Sequence, residues 1–298
     1  MKKQSLILSI VFALLIPQIC HATDWCADSN MAAAWKMDEA SGTLADCTAN
    51  ANTMTATGSP GAYNAAGKKD GAFDFQEVNN AGFSATDQAA IRNITKLSAG
   101  CWTNFDTNGN AGASFIDGGW MVGKYDGADG WAVGSDNDAE PSEIDFSYQW
   151  TGGKGRWNTS TDPLAADSTY EHVAVTYDAA SATNDPIFYY NGVSQALTEI
   201  NTPATAADDD TGGEPTLGID GDGTDVGSVN EYDGRLDEVF VYKITILNST
   251  QINDLKDNYL VGAAASSIMQ IIKKDEEWKR WQNAEQERMR LAYAKNNS

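Results

Sequence analysis

Histidine is almost missing from this chain, which has only two in 298 residues, His21 and His172. One imidazole in the body of the protein cannot furnish most zinc centres, and it argues against a serine–histidine–aspartate hydrolase. His172 sits in Tyr170-Glu-His-Val-Ala-Val-Thr-Tyr177, a run that reads as a strand, so it is expected to be a structural strand residue. Basic residues are scarce as well. The 20 Lys and Arg face 42 Asp and Glu, for a formal charge of −22. A surface of that sign repels nucleic acid and anionic lipid, which excludes both as partners. Divalent metals or salt are its natural counter-ions, and neutral ligands stay possible. No apolar run reaches the length of a membrane span: Leu6–Ile16 and Val261–Ile272 are both too short.

The first of those runs has another use. Met1-Lys-Lys3, the apolar Leu6–Ile16 and Cys20-His-Ala22 form a charged head, a short hydrophobic core and a small residue at a cleavage point. Residues 1–22 therefore read as a signal peptide, with Thr23 as the mature start. The chain is expected to be secreted, at a cell surface or extracellular, with the periplasm as the other destination. Export permits disulfides. Cys26, Cys47 and Cys101 remain after cleavage. Cys26 and Cys47 flank one expected strand and are the favoured pair, with other pairings open. Cys101, beside Trp102, then reads as a buried thiol.

From Met31 to Tyr242 short β-like runs alternate with clusters of Gly, Asn and Asp. They are Ala32–Met37, Gly71–Phe75, Ala99–Phe105, Trp120–Lys124, Gly130–Val133, Ile144–Gln149, His172–Tyr177, Ile187–Tyr190 and Arg235–Tyr242. Asn191-Gly192 between Tyr190 and Val193 is a hairpin turn signal. No long amphipathic helix interrupts this region, which excludes a parallel βαβ sheet. A short helix starts at Asn248 or Ser249, with Ile252, Leu255 and Tyr259 on its apolar side. Residues 261–267 read as a linker. Ser267–Ala294 reads as an amphipathic helix carrying Trp278 and Trp281. That helix either packs on the domain or serves self-association, surface anchoring or a protein partner.

Six landmarks occur in a recognisable order. They are Ala34-Trp-Lys-Met-Asp-Glu-Ala-Ser-Gly-Thr43; Lys69-Asp-Gly-Ala-Phe-Asp-Phe75; Leu97-Ser-Ala-Gly-Cys-Trp102; Glu171-His-Val-Ala-Val-Thr-Tyr-Asp178; Ile187-Phe-Tyr-Tyr-Asn-Gly-Val193; and Gly234-Arg-Leu-Asp-Glu-Val-Phe-Val-Tyr242 with Leu247-Asn-Ser-Thr-Gln-Ile252. Together they resemble the laminin-G-like, concanavalin A-like lectin/glucanase jelly-roll family over residues 23–260. The resemblance implies an all-β fold, a sandwich of two antiparallel sheets, here with a C-terminal helical extension over 261–298. It implies a concave face that binds a glycan or cell-surface polysaccharide in many members, and an adhesion or accessory role in others. It also implies one structural calcium where the opening and closing strands meet. Asp237 would supply a carboxylate, with Asp38 or Glu39 from the first turn. In that reading Asp237 ties the closing strand to the opening one and Glu238 points outward.

Related glycosidases carry Glu-x-Asp-x-x-Glu, or a form one residue longer, along one strand. The first two carboxylates share a face and the last performs acid/base chemistry. Here Glu143-Ile-Asp-Phe-Ser-Tyr-Gln149 keeps Glu143 and Asp145 but has Tyr148 or Gln149 at the last place. Neither is a carboxylic acid, so the expectation is a non-catalytic binding module. Trp120, Trp131, Tyr148, Trp150 and Trp157 cluster in the middle strands and are the candidate stacking platforms for a neutral glycan. Asp220-Gly-Asp-Gly-Thr-Asp225 is acidic but lacks the glycine an EF-hand loop needs at its sixth position.

Overall fold

The structure is a computed structural model. It describes residues 25–258 apart from the short segments 59–60, 77–81, 108–117, 126–127, 137–140, 151–152, 167–168, 207–209, 211 and 220–230. The expected signal peptide, the acidic run 220–225 and the expected helix over 267–294 lie outside the described residues. Residues 29–258 form one compact unit.

That unit is two antiparallel sheets of eight strands each. The first holds β1 (Met31–Trp35), β3 (Ala62–Ala66), β4 (Gly71–Phe75), β6 (Lys96–Thr107), β11 (Glu171–Asp178), β12 (Ile187–Tyr190), β13 (Val193–Ser194) and β16 (Asp233–Lys243). Its order is β13-β12-β11-β6-β16-β4-β3, with β1 also on β16. The second holds β2 (Thr55–Thr57), β5 (Gly82–Ser84), β7 (Trp120–Tyr125), β8 (Gly130–Ser135), β9 (Ile144–Trp150), β10 (Gly153–Thr159), β14 (Leu197–Asn201) and β15 (Glu214–Leu217). Its order is β14-β10-β9-β8-β7-β15-β5-β2.

The alternation of each strand sets which face is buried. In β6 the inward row is Leu97, Ala99, Cys101, Thr103 and Phe105; in β9 it is Ile144, Phe146, Tyr148 and Trp150. Tyr177 of the first sheet meets Phe146, Tyr148 and Trp157 of the second, with ring centroids 5.5, 5.6 and 5.1 Å apart. Those rings fill the space between the sheets.

The nine expected strands are all present. The other seven strands are not among those expected, and two at the sheet margins, β3 and β14, carry little apolar signal. β3 alternates only between exposed and half-buried, and β14 is exposed at four of five positions. Edge strands with one solvated face need no hydrophobic run. Asn191 and Gly192 both take positive φ, 50° and 81°, as a tight β12–β13 turn requires. The helix α1 (Ser249–Asn258) begins with a reciprocal cap. Asn248 Oδ1 accepts the Gln251 amide at 3.1 Å, and Gln251 Oε1 accepts the Asn248 amide at 3.0 Å. Cys26 is disulfide-bonded to Cys47, and Cys101 is a buried free thiol, as the spacing led us to expect. Closing a loop of about twenty residues this way contributes roughly 3 kcal/mol in the chain-entropy account.

Candidate functional site

The outer face of the second sheet carries a polar cluster that its strands assemble row by row. On β10, Gly155 and Trp157 face the core, so Lys154, Arg156 and Asn158 face outward. Register places Asn158 opposite Asp145, Arg156 opposite Ser147 and Lys154 opposite Gln149. Arg156 Nε and Nη2 both donate to Asp145 Oδ2, at 2.9 and 2.6 Å, and Nη2 lies 3.4 Å from Asp136 Oδ2. Asn158 Nδ2 donates to Asp136 Oδ2 at 3.3 Å and also to Glu143 Oε2. Asp145 is fully buried, and Arg156 is only 8% exposed. A charge so far from water needs a close counter-charge, and the fork of the guanidinium supplies it.

One row along, the same face opens. Glu214 pairs with Tyr125, Tyr125 with Gly130, Gly130 with Gln149, and Gln149 with Lys154. Glu214, Tyr125, Gln149 and Lys154 are all half-buried. Gln149 Nε2 donates to the Ala128 carbonyl at 2.8 Å and lies 3.4 Å from the Tyr125 hydroxyl. Trp120 backs the Tyr125 ring at 6.1 Å between centroids. It lies across Gly123, where a Cβ would meet the indole at 2.9 Å. A half-exposed aromatic ring flanked by an amide, an ammonium and a carboxylate can stack on a sugar and bond its hydroxyls.

The five aromatics expected to line the ligand face do not. Trp131, Tyr148, Trp150 and Trp157 belong to the core between the sheets, and Trp120 is fully buried on the outer face with Ala132. The reason is parity. Tyr148 and Trp150 share the face of Ile144 and Phe146, and Trp131 pairs with Tyr148 across β8 and β9. The alternation of large apolar with small polar residues in Ile144-Asp-Phe-Ser-Tyr-Gln-Trp150 already carried that information. The same alternation in Gly153-Lys-Gly-Arg-Trp-Asn-Thr159 was the available signal for Arg156 and Asn158.

Glu143 and Asp145 do reach one face, through Asn158 and Arg156. The position where a glycosidase has its last carboxylate is filled otherwise. Tyr148 turns inward and its hydroxyl donates to the Ile94 carbonyl at 2.6 Å, with burial pushing its pKa up. Gln149 is an amide held on Ala128.

The second candidate centre is the acidic pair on β16. The strand pairs with β4 through Gly234–Leu236 and with β1 through Val239–Tyr242, and its register on β6 shifts between Asp237 and Phe240. A bulge sits where the partner changes, and Glu238 there takes φ 51°. Glu238 does not point outward: it is 3% exposed, because the bulge turns its side chain back under Lys69, 3.7 Å away. Asp237 Oδ2 accepts the Lys69 amide at 2.9 Å, so it ties β16 to the turn before β4. Asp38 Oδ1 holds the other end of that turn through the Gly71 amide at 2.8 Å, and Glu39 Oε1 accepts the Ala45 amide at 2.8 Å. The three expected calcium ligands thus each hold backbone, and among the described residues no three acidic, His or Cys side chains converge as a metal cluster. The donor chemistry still fits a hard cation at the bulge. Asp237 Oδ1 and both Glu238 oxygens are buried without a hydrogen-bond partner. Burial, first, pushes Asp237 up to about 7; burial and then the Asp237 charge push Glu238 up to about 8.

A model of the concanavalin A-like lectin/glucanase superfamily, of the laminin G type, matches residues 77–253. The chain belongs to this superfamily. The jelly roll expected from the sequence landmarks is therefore the fold of this lectin/glucanase domain. Solved structures with a similar fold include the binding domain of Paraclostridial Mosquitocidal Protein 1. Its TM-score is 0.54 at 13% identity, covering 77% of this chain and 52% of that one. The botulinum neurotoxin serotype C1 binding domain gives 0.54 at 14%, covering 78% and 52%. A Trypanosoma rangeli sialidase gives 0.51 at 11%, covering 80% and 34%. The domain thus spans about half the length of the two toxin chains and a third of the sialidase, and the likeness is one of fold. No curated protein sequence matches it.

Proposed function

We propose that this lectin/glucanase-type domain is a secreted, non-catalytic carbohydrate-binding module that holds a neutral glycan on the outer face of its second sheet. The observation that carries this reading is the row Glu214–Tyr125–Gln149–Lys154, half-open on a floor fixed by the Arg156–Asp145 pair. Tyr125 is the stacking ring, and the polar groups beside it bond the sugar hydroxyls. The missing third carboxylate supports a binder over a hydrolase, and the disulfide supports an oxidising compartment. Two of the chains that share the fold are toxin binding domains. On a glycan array the wild-type chain binds at least one polysaccharide, and Tyr125→Ala weakens that binding tenfold or more, about 1.4 kcal/mol, with an unchanged circular dichroism spectrum. A wild-type chain that binds nothing on the array, or a Tyr125→Ala variant that binds as well as wild type, defeats the proposal.

A structural calcium fits the same reading. Asp237 and Glu238 would hold it, completed by backbone carbonyls and water, and it would neutralise carboxylates that burial otherwise disfavours. Adding millimolar calcium to chelator-treated protein then raises the unfolding temperature by several degrees, and Asp237→Asn removes the increment. An equal midpoint with calcium and with chelator counts against the ion.

A further inference from the structure

Lys124 is the most deeply buried cation among the described residues. It lies on β7 opposite Trp131 of β8 and Pro215 of β15, and its side chain is inaccessible to solvent. Its Nζ lies 3.3 Å from Asp210 Oδ1 and 3.6 Å from Asp87 Oδ1, and it donates to the Asp210 carbonyl. The two carboxylates are not equivalent. Asp210 Oδ1 accepts the Asn93 amide at 2.5 Å, and the Asp210 amide donates back to Asn93 Oδ1 at 3.0 Å. Asp87 Oδ2 is held by Arg92 Nε at 2.6 Å and by the Gly212 amide at 3.0 Å. That leaves Asp210 Oδ2 and Asp87 Oδ1 buried with no hydrogen-bond partner. A permanent carboxylate buried this way is costly unless its chemistry uses the bare oxygen.

We propose that Lys124 and Asp210 join in an intramolecular isopeptide bond, with Asp87 as the proton carrier. An amine and a carboxyl held at contact distance in a dry site have lost the entropy and the water that keep them apart in solution. One proton first passes from Nζ, by way of Asp87 Oδ1, to Asp210 Oδ2, leaving a neutral amine and a neutral acid. Nζ then forms a bond to the Asp210 Cγ. Asp87 Oδ1 takes a proton from the attacking nitrogen and returns it to Oδ2, the Cγ–Oδ2 bond breaks, and one water leaves. The Asn93 N–H stays on Oδ1 throughout and steadies its negative charge in the tetrahedral intermediate. The condensation needs no oxidant, reductant or second substrate. The product crosslinks β7 to the segment before β15 and pins the 87–93 loop beneath it. A domain working outside the cell gains resistance to unfolding and proteolysis from such a link.

The test is the intact mass of the wild-type chain after purification, denaturation and reduction. A mass lower by one water, with tandem fragmentation yielding a branched peptide that joins Lys124 to Asp210, supports the bond. Lys124→Met and Asp210→Ala should each restore the full mass, and so should Asp87→Asn. A wild-type chain at its full sequence mass overturns the proposal, and needs no variant to fold. So does a water loss that persists in Lys124→Met or yields to hydroxylamine, since a succinimide at one of the Asp-Gly pairs, such as Asp70-Gly71, also loses one water.

Discussion

Arg156→Ala should lower the stability of the domain by about 3–5 kcal/mol, the cost of removing one member of a buried ion pair. The guanidinium places two donors on a carboxylate that has no exposed surface, and it reaches a second one on Asp136. Removing it strips Asp145 of its cation in a medium where charge is poorly solvated. Urea unfolding measures the loss directly. Asp145→Asn should cost less, because the buried Arg156 keeps the Asp136 carboxylate 3.4 Å away as a counter-charge. In the double variant the two losses should fall well short of additivity, since both act on one interaction. A loss under 1 kcal/mol in Arg156→Ala would show that the pair is solvated and that the floor of the proposed glycan face is not built as described. Because Arg156 lies one row from Tyr125, the same variant should weaken glycan binding even where the domain remains folded.

The pH profile should have two opposing limbs with different owners. His172 lies against Trp102 and Phe240, with ring centroids at 5.2 and 6.0 Å, and burial, then the nearby Lys256 charge, lower its pKa to about 3. Asp257 acts weakly the other way. The folded state therefore binds fewer protons at His172 than the unfolded state does between about pH 6.5 and 3. Stability from this group is complete above 6.5 and is lost as pH falls through that window, by a total on the order of 5 kcal/mol. Asp237 and Glu238 have the opposite sign. Their folded pKa values are raised to about 7 and 8, so the fold holds protons there that the unfolded chain releases above about 4. In chelator, stability from this pair falls as pH rises from 4 to 8. The two limbs oppose each other between 4 and 6.5, and only the carboxylate limb acts from 6.5 to 8. Two carboxylates outweigh one imidazole, so thermal melts in chelator should fall gently with rising pH below 6.5 and more steeply just above it. His172→Phe should let stability keep rising as pH drops, whereas Asp237→Asn should flatten the alkaline fall. Variants that leave both limbs unchanged would show that neither group titrates as its burial dictates.

The fold was legible where a strand is buried on its inner face by large residues. Leu97–Phe105, Ile144–Gln149 and His172–Tyr177 are visible as alternating or continuous apolar runs, and the ordered landmarks around them name the superfamily. β3 and β14 were not legible, because a strand at a sheet margin is specified by the backbone of its neighbour rather than by its own side chains. The disulfide was legible because Cys26 and Cys47 bracket β1. The site was legible only in part. That Glu143 and Asp145 share a face followed from spacing, but what faces them did not, since Arg156 and Asn158 come from the next strand and meet them only through register.

What the sequence determined by itself is the all-β class, the antiparallel sandwich, the strong negative charge and the loss of the third glycosidase carboxylate. The class and the charge follow from composition and from the period of local patterns; the two-sheet sandwich and the missing carboxylate follow from the ordered landmarks and the family they resemble. What only the tertiary structure decided is the direction in which side chains face at long range. It covered Trp120 on the outer face, folded Glu238 under Lys69 at a bulge that exists because β16 changes partners, and set Lys124 against Asp87 and Asp210. Those outcomes depend on which strands pair and in what register, and pairing is a contact between segments far apart in the chain that no local pattern encodes.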